Sequence, residues 1–98
     1  MPSESELLES IYETIREFNG QLPPDARLAC APETVLVGDG GVLDSLGLIN
    51  FLVMLEDSLE AGLGRRVTLL DERYMSAEDG PFRTVRSLAR HAAAEAAK

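Results

Sequence analysis

Apolar residues recur at helical steps in several stretches of this chain, and none shows the sustained alternation of a strand. Leu8, Ile11, Ile15 and Phe18 fall three and four residues apart, which predicts a first helix over residues 3–19. Ser3 and Glu6 fit a capping box at its start, and Gly20 stands where it must stop. Residues 20–43 read as a long connection, because Pro23, Pro24 and Pro32 forbid a continuous helix. A loop of this length normally has a role in a compact domain. Val35, Leu36 and Val37 are its natural anchors to a core.

A second helix is predicted from Asp44 or Ser45 to about Leu59. Leu46, Ile49, Phe51, Leu52, Val53, Leu55 and Leu59 leave it few polar positions, so it reads as a central element touching several neighbours. Gly62 and Gly64 end the segment. A short third helix is predicted over residues 68–75, before the breaker Asp79-Gly80-Pro81. Thr84 caps a last helix carrying Val85, Leu88, Ala89 and Ala92. The alanine-rich end after His91 is expected to fray, residues 93–98 most of all. The sum is an all-α fold: a four-helix bundle with a long loop between helices 1 and 2 and a short helix 3.

Composition adds limits to this pattern. At 98 residues and 10.6 kDa the chain is long enough for a single domain, residues 1–98. Aromatics make up 5% and there is no Trp, so the core must be mainly Leu, Ile, Val and Ala. The net charge of −8 argues against nucleic-acid binding, which calls for a basic patch. It favours steered encounters with basic protein surfaces. The charge is uneven: residues 1–60 hold 12 acids and 2 bases, residues 61–98 hold 5 acids and 7 bases. The one cysteine, Cys30, has no partner for an internal disulfide and no His or Cys at metal-ligand spacing. The start of the chain lacks the basic and apolar regions of a secretory signal, and no apolar run is long enough for a membrane span. A cytoplasmic monomer without membrane contact is the expectation.

The candidate chemistry is concentrated in one tripeptide. Asp44-Ser45-Leu46 opens the apolar second helix, two residues beyond the glycine-rich Gly38-Asp39-Gly40-Gly41. Asp44 is a good N-cap. A serine in the first helical turn faces unpaired N–H groups and the positive end of the macrodipole, where a phosphate is favoured by about 0.3–1 kcal/mol. The plain structural reading is that Ser45 is an ordinary N-cap or N1 serine. Other catalytic readings fare poorly. The nucleophile elbow G-x-S-x-G fails because Leu43 replaces its first glycine. No Lys-Ser or Lys-Thr follows the glycines, so they read as a tight turn and not as a phosphate loop. His91 reads as a solvated residue near a helix C-terminus, and Arg65 and Arg66 as a solvated loop. Met54 and Met75 pack adaptably and could touch a cargo, but core packing is the more frequent role of such residues. Val67, Leu69 and Leu70 fit either a chain-sized cleft or a dry core.

The G-x-L-D-S-L run at residues 41–46, the acidity, the length and the order of helices together resemble the acyl and peptidyl carrier proteins. The resemblance covers nearly the whole chain. It implies a bundle modified by a phosphopantetheinyl transferase, with 4′-phosphopantetheine esterified to Ser45. Asp44 would be the preceding acid and Leu46 the following apolar contact. It further implies that the chain catalyses nothing itself. It would carry a thioester cargo between an acyl- or aminoacyl-loading enzyme and downstream synthases or transferases, in a fatty-acid, polyketide or nonribosomal-peptide type of pathway. By the same resemblance partners read the outward face of the second helix, here Gly47, Asn50, Val53, Met54 and Asp57. The chain departs from the fatty-acid pattern: Gly47 and Asn50 stand where acids often follow the motif, and acidity returns only at Glu56, Asp57 and Glu60. That favours a dedicated carrier in a specialised pathway. The alternative is a non-enzymatic acidic helical module that docks a partner without any prosthetic group.

Overall fold

A computed structural model describes residues 3–37, 41, 43–70 and 80–97, with Ala26 and Ser45 described by backbone alone. Among these residues the chain forms three α-helices and one short 3-10 turn: α1 (Glu4–Asn19), η1 (Pro24–Ala26), α2 (Ser45–Leu63) and α3 (Val85–Ala96). There is no strand among them; Val35 and Thr84 make one isolated antiparallel bridge. The predicted helix at 68–75 does not begin where the pattern placed it. Thr68, Leu69 and Leu70 are non-helical, and residues 71–75 lie outside the described set, as does Met75 with them.

The start of α1 follows from Ser3. Its side chain accepts from the Glu6 amide at 3.2 Å. Its hydroxyl in turn faces the Glu6 carboxylate at 3.4 Å, so the contact back to Glu6 runs through the serine side chain. Leu7, Ile11, Thr14, Ile15 and Phe18 are the buried residues of α1. Leu7 therefore leads the stripe, and Leu8 is only partly buried at its edge. Gly20 follows the last helical residue as a right-handed C-cap with φ −63°. Its N–H bonds back to Glu17 and Phe18, so no left-handed turn is needed there.

The packing order corrects one expectation. Helix α1, not α2, is the central one among the described elements: it packs against both α2 and α3. The α1–α2 seam closes on Phe18 and Phe51, edge to face at 5.5 Å between ring centroids. Leu48, Phe51, Leu52, Leu55 and Leu59 line the buried side of α2. Helix α2 also runs a turn further than its pattern implied. Gly62 is helical, and Gly64 ends the helix in the left-handed region at φ 73°, giving its N–H to Glu60.

The long connection is sewn down at three points. The Asn19 side chain donates to the Leu28 carbonyl at 2.9 Å and accepts from the Leu28 amide at 2.8 Å, which closes residues 20–27 into a loop on the end of α1. Leu28 and Leu36 are buried, while Val35 and Val37 are half-buried, so Leu36 is the main anchor of its triplet. Leu36 then exchanges backbone bonds with two segments: its N–H donates to Arg83 O, and its carbonyl accepts from Leu43 N at 2.9 Å. Cys30 is exposed in this loop, its sulfur 3.8 Å from the Tyr12 carbonyl.

The C-terminal helix is capped at its start and buries one face along its length. Thr84 and Ser87 form a reciprocal capping box, and Ser87 also donates to the Pro81 carbonyl at 2.9 Å. Val85, Leu88, Ala89, Ala92 and Ala96 are buried, so the small alanine side chains let α3 approach α1 closely and the helix holds to Ala96. His91 is half-buried, with its ring against Phe82 at 5.6 Å, instead of solvated.

Candidate functional site

The approach to Ser45 is fixed by a backbone contact. A Cβ on Gly41 would lie 2.7 Å from the Val37 backbone, so only glycine lets the chain fold back this closely. The Leu43–Leu36 bond completes that return. Residues 38–40 of the predicted tight turn lie outside the described set. The chain leaves Leu43 directly into Asp44, the N-cap of α2.

Asp44 has extended backbone (φ −85°, ψ −175°), and its Oδ1 accepts from the Gly47 amide at 2.7 Å. The first i to i−4 bond of α2 runs from Leu48 N to Asp44 O at 2.9 Å. Ser45 is therefore the first residue inside the helix, N1. The amides of Ser45 and Leu46 precede that first bond and have no intrahelical acceptor, which leaves the helix end electropositive. The Ser45 side chain itself lies outside the described set. Asp44, expected to serve the cofactor, already serves the helix: one carboxylate oxygen is committed to the cap. The space above Gly47 is filled from the same side, since a Cβ there would stand 3.2 Å from Asp44 Oδ1 and 3.4 Å from the Leu43 side chain.

Past the first turn, α2 has two apolar faces. The inner one is core. The outer one is exposed: Leu46 keeps 67% of its surface, Val53 44% and Ile49 36%. Their spacing of three and then four residues puts them on one stripe. This is why the helix looked apolar all round in sequence; its outer residues are not covered by described neighbours. Of the residues expected to face partners, Asn50, Val53 and Asp57 are exposed, while Gly47 and Met54 are half-buried. Ile49 belongs to the same exposed stripe, although it was not among the residues expected to face partners.

Glu56 corrects the sequence reading most sharply. It is 4% exposed, not part of an acidic surface. Its Oε2 accepts from two successive amides, Leu69 at 2.7 Å and Leu70 at 2.8 Å. Arg66 reaches its other oxygen at 3.4 Å and Glu60 at 3.1 Å. Arg66 is thus an ion-pairing residue and not a freely solvated loop residue. These four contacts fold residues 66–70 back along α2. Val67 and Leu69 enter the core, and Leu70 stays 38% exposed. A weak signal was present in sequence: Glu56 lies four residues after Leu52 and three before Leu59, at the edge of the buried arc, with arginines nine and ten residues on.

A shallow groove lined by Glu6, Leu7, Ser10, Ser58, Leu59, Gly62 and Leu63 lies at the opposite end of α2. Ser58 is thirteen residues past Ser45, roughly 20 Å along the axis at 1.5 Å per residue, so this groove is separate from the Ser45 end. No helix among the described residues is long and apolar enough to cross a membrane. No family model, curated protein or solved structure matches the chain. A functional reading therefore rests on the chain's own residues.

Proposed function

We propose that this protein is an acyl or aminoacyl carrier, with 4′-phosphopantetheine attached through a phosphodiester to Ser45. The observation that carries the proposal is the position of Ser45 as N1 of α2, inside the D-S-L motif and beside two amides without intrahelical acceptors. A phosphodiester there gains from the helix dipole, by about 0.3–1 kcal/mol at an exposed end. Asp44 holds the turn through the Gly47 amide and so keeps the N1 position formed. Leu46, 67% exposed, gives an apolar contact next to the attachment point. The arm would supply the thiol that holds cargo as a thioester; the chain's own residues position the attachment serine and meet its partners.

The partners of such a carrier are a phosphopantetheinyl transferase, a loading enzyme and a downstream synthase or transferase. Asn50, Val53 and Asp57 are accessible for their approach, with Gly47 and Met54 partly so. A partner-docking module without a prosthetic group is a second reading, and the exposed Leu46, Ile49 and Val53 favour it equally.

Covalent modification separates the two. Incubation with coenzyme A, magnesium and a broad-specificity phosphopantetheinyl transferase is expected to add one phosphopantetheinyl group to the intact mass. Ser45→Ala is expected to remove that gain while leaving the helical signal unchanged. A gain that survives in Ser45→Ala refutes attachment at Ser45.

A further inference from the structure

At the groove on the far end of α2, helices α1 and α2 do not close completely. Leu7, Leu59 and Leu63 give it apolar surface, and Glu6, Ser10 and Ser58 give it polar groups. Gly62 keeps it open, since a Cβ there meets no atom within 4 Å. Its volume is about 160 Å³. A pocket for a free ligand of ordinary size holds about 300–1,000 Å³, whereas a cavity of about 150 Å³ takes one benzene-sized group. The groove therefore suits a single side chain of a partner and not a cofactor.

The charge along it has one sign. Glu6, Ser10, Glu13 and Glu17 recur at steps of four, three and four residues, so they form one edge of α1. Glu6 and Ser10 line the groove, which puts this edge on the side of α1 that faces α2. Glu6, Glu13 and Glu17 are exposed, and among the described residues no cation pairs with them. Arg16, the only base of α1, follows Glu9 by seven residues and shares its stripe, off this edge. Asp57, exposed and next to Ser58 in sequence, adds an acid on the α2 side. Arg66 is drawn elsewhere: its partners Glu56 and Glu60 stand two residues before Ser58 and Gly62, hence on another face of α2. The two arginines of α3 are engaged as well, Arg86 by Glu33 and Arg90 by Glu4, so the complementary cation is better supplied by a different protein than by a second copy.

We infer that this groove docks a basic helical segment of a partner protein, which lays one arginine side chain over Leu7, Leu59 and Leu63 and brings its guanidinium to Glu6, Ser10 and Ser58. An arginine stem covers apolar surface while its head stays with charge and water. Its planar fork offers five N–H donors, enough for a carboxylate and two hydroxyls together, where an ammonium has three. Glu13 and Glu17 lie roughly 10 Å and roughly 16 Å beyond Glu6 along α1 at 1.5 Å per residue, so bases seven and eleven residues from the inserted arginine meet them on a helix laid along α1. One exposed ion pair holds little; three on one helix, with an apolar stem in a groove, make a specific contact. The groove and Ser45 stand at opposite ends of α2, so a partner held here leaves the Ser45 end open. Nothing in this contact requires a prosthetic group on Ser45.

The test titrates the full isotope-labelled chain, without coenzyme A, with an alanine- and leucine-based peptide of about twenty residues, long enough to hold a helix. Its arginines are spaced by seven and then four residues, and a second peptide carries the reverse order for the opposite direction. One of the two is expected to bind and to shift the amides of residues 6–17 and 58–63, with Leu46 and Ile49 unmoved. Raising salt from about 50 to about 300 mM is expected to weaken binding about fivefold. Glu6→Gln should weaken it about fivefold, and Glu6→Gln/Glu13→Gln/Glu17→Gln about twentyfold. Gly62→Leu fills the groove and should weaken binding at least about tenfold. Its thermal stability should be kept or raised, because leucine is the better helix former. Should Gly62→Leu fail to fold, Ser10→Leu blocks the groove from the α1 side and decides the same point. Lysine in place of each peptide arginine should cost about threefold. Binding that falls with the three Glu→Gln changes yet is untouched by Gly62→Leu or Ser10→Leu is diffuse charge attraction and overturns the groove. Equal binding of the lysine peptide overturns the choice of arginine. Shifts centred on Leu46, Ile49 and Val53, or no binding by either peptide, overturn the docking surface. Each of these results is independent of modification at Ser45, which is read separately by mass.

Discussion

Helices α1 and α2 bury similar inner faces and present opposite outer ones. On α1 the exposed residues include Glu4, Glu6, Glu9, Glu13 and Glu17. On α2 they include Leu46, Ile49, Asn50 and Val53. Both helices meet at Phe18 and Phe51, so the difference lies wholly on the solvent side. A helix needs only one apolar face to stay in a bundle. The outer face of α1 suits water. That of α2 goes beyond what folding requires, and it begins at the residue after Ser45. Stability and modification at Ser45 should therefore be separable on α2, by face, and not on α1.

Phe51→Ala should show the largest effect. It removes the inner contact shared by both helices and is expected to cost about 3–5 kcal/mol by chemical denaturation. A loss under about 1 kcal/mol would mean that the seam is not the core. Glu56→Ala comes next, because it orphans the buried Leu69 amide and the half-buried Leu70 amide. A cost of about 2–3 kcal/mol is expected, with faster hydrogen exchange at those two amides. The ion pair to Arg66 adds little to this, since that arginine side chain is 57% exposed. Gly64→Ala should cost about 1 kcal/mol, the penalty for a side chain at positive φ, even though a Cβ there meets nothing within 4 Å.

The smallest stability effects give the sharpest form of the comparison. Glu13→Ala on α1 and Val53→Asn on α2 should each change stability by less than about 0.5 kcal/mol. Only Val53→Asn should slow modification at Ser45, measured as the rate of mass gain. Equal rates in both would mean that the two outer faces do not differ in function. Gly47→Ala should sit near zero, because about 1 kcal/mol of helix propensity is offset by pressing a Cβ to 3.2 Å from the capping Asp44 carboxylate.

Much of the helical layout was legible because local signals agreed there. Ser3, Asp44 and Thr84 all cap the helices they precede, and the apolar spacing marked Ile11, Ile15 and Phe18 correctly. What was hidden depended on contacts across long sequence separations. Glu56 looked like a surface acid because its partners, the amides of Leu69 and Leu70, are ordinary backbone groups that no motif advertises. The exposure of Ile49 was not legible because hydrophobicity alone does not say which face is covered. The clamp between Asn19 and Leu28 was invisible for the same reason as Glu56. The burial of Ala89, Ala92 and Ala96 was not legible either, because alanine suits a surface as well as a close helix contact. At the candidate site the cap and the N1 position were readable from D-S-L.

The most direct test is to map the modification after treatment with coenzyme A and a phosphopantetheinyl transferase, by tandem mass spectrometry of the peptide spanning residues 28–65. The account predicts one phosphopantetheinyl group per chain, carried on Ser45. A group carried on Ser58 or on any serine outside this peptide, or none on a folded and previously unmodified chain, would contradict it.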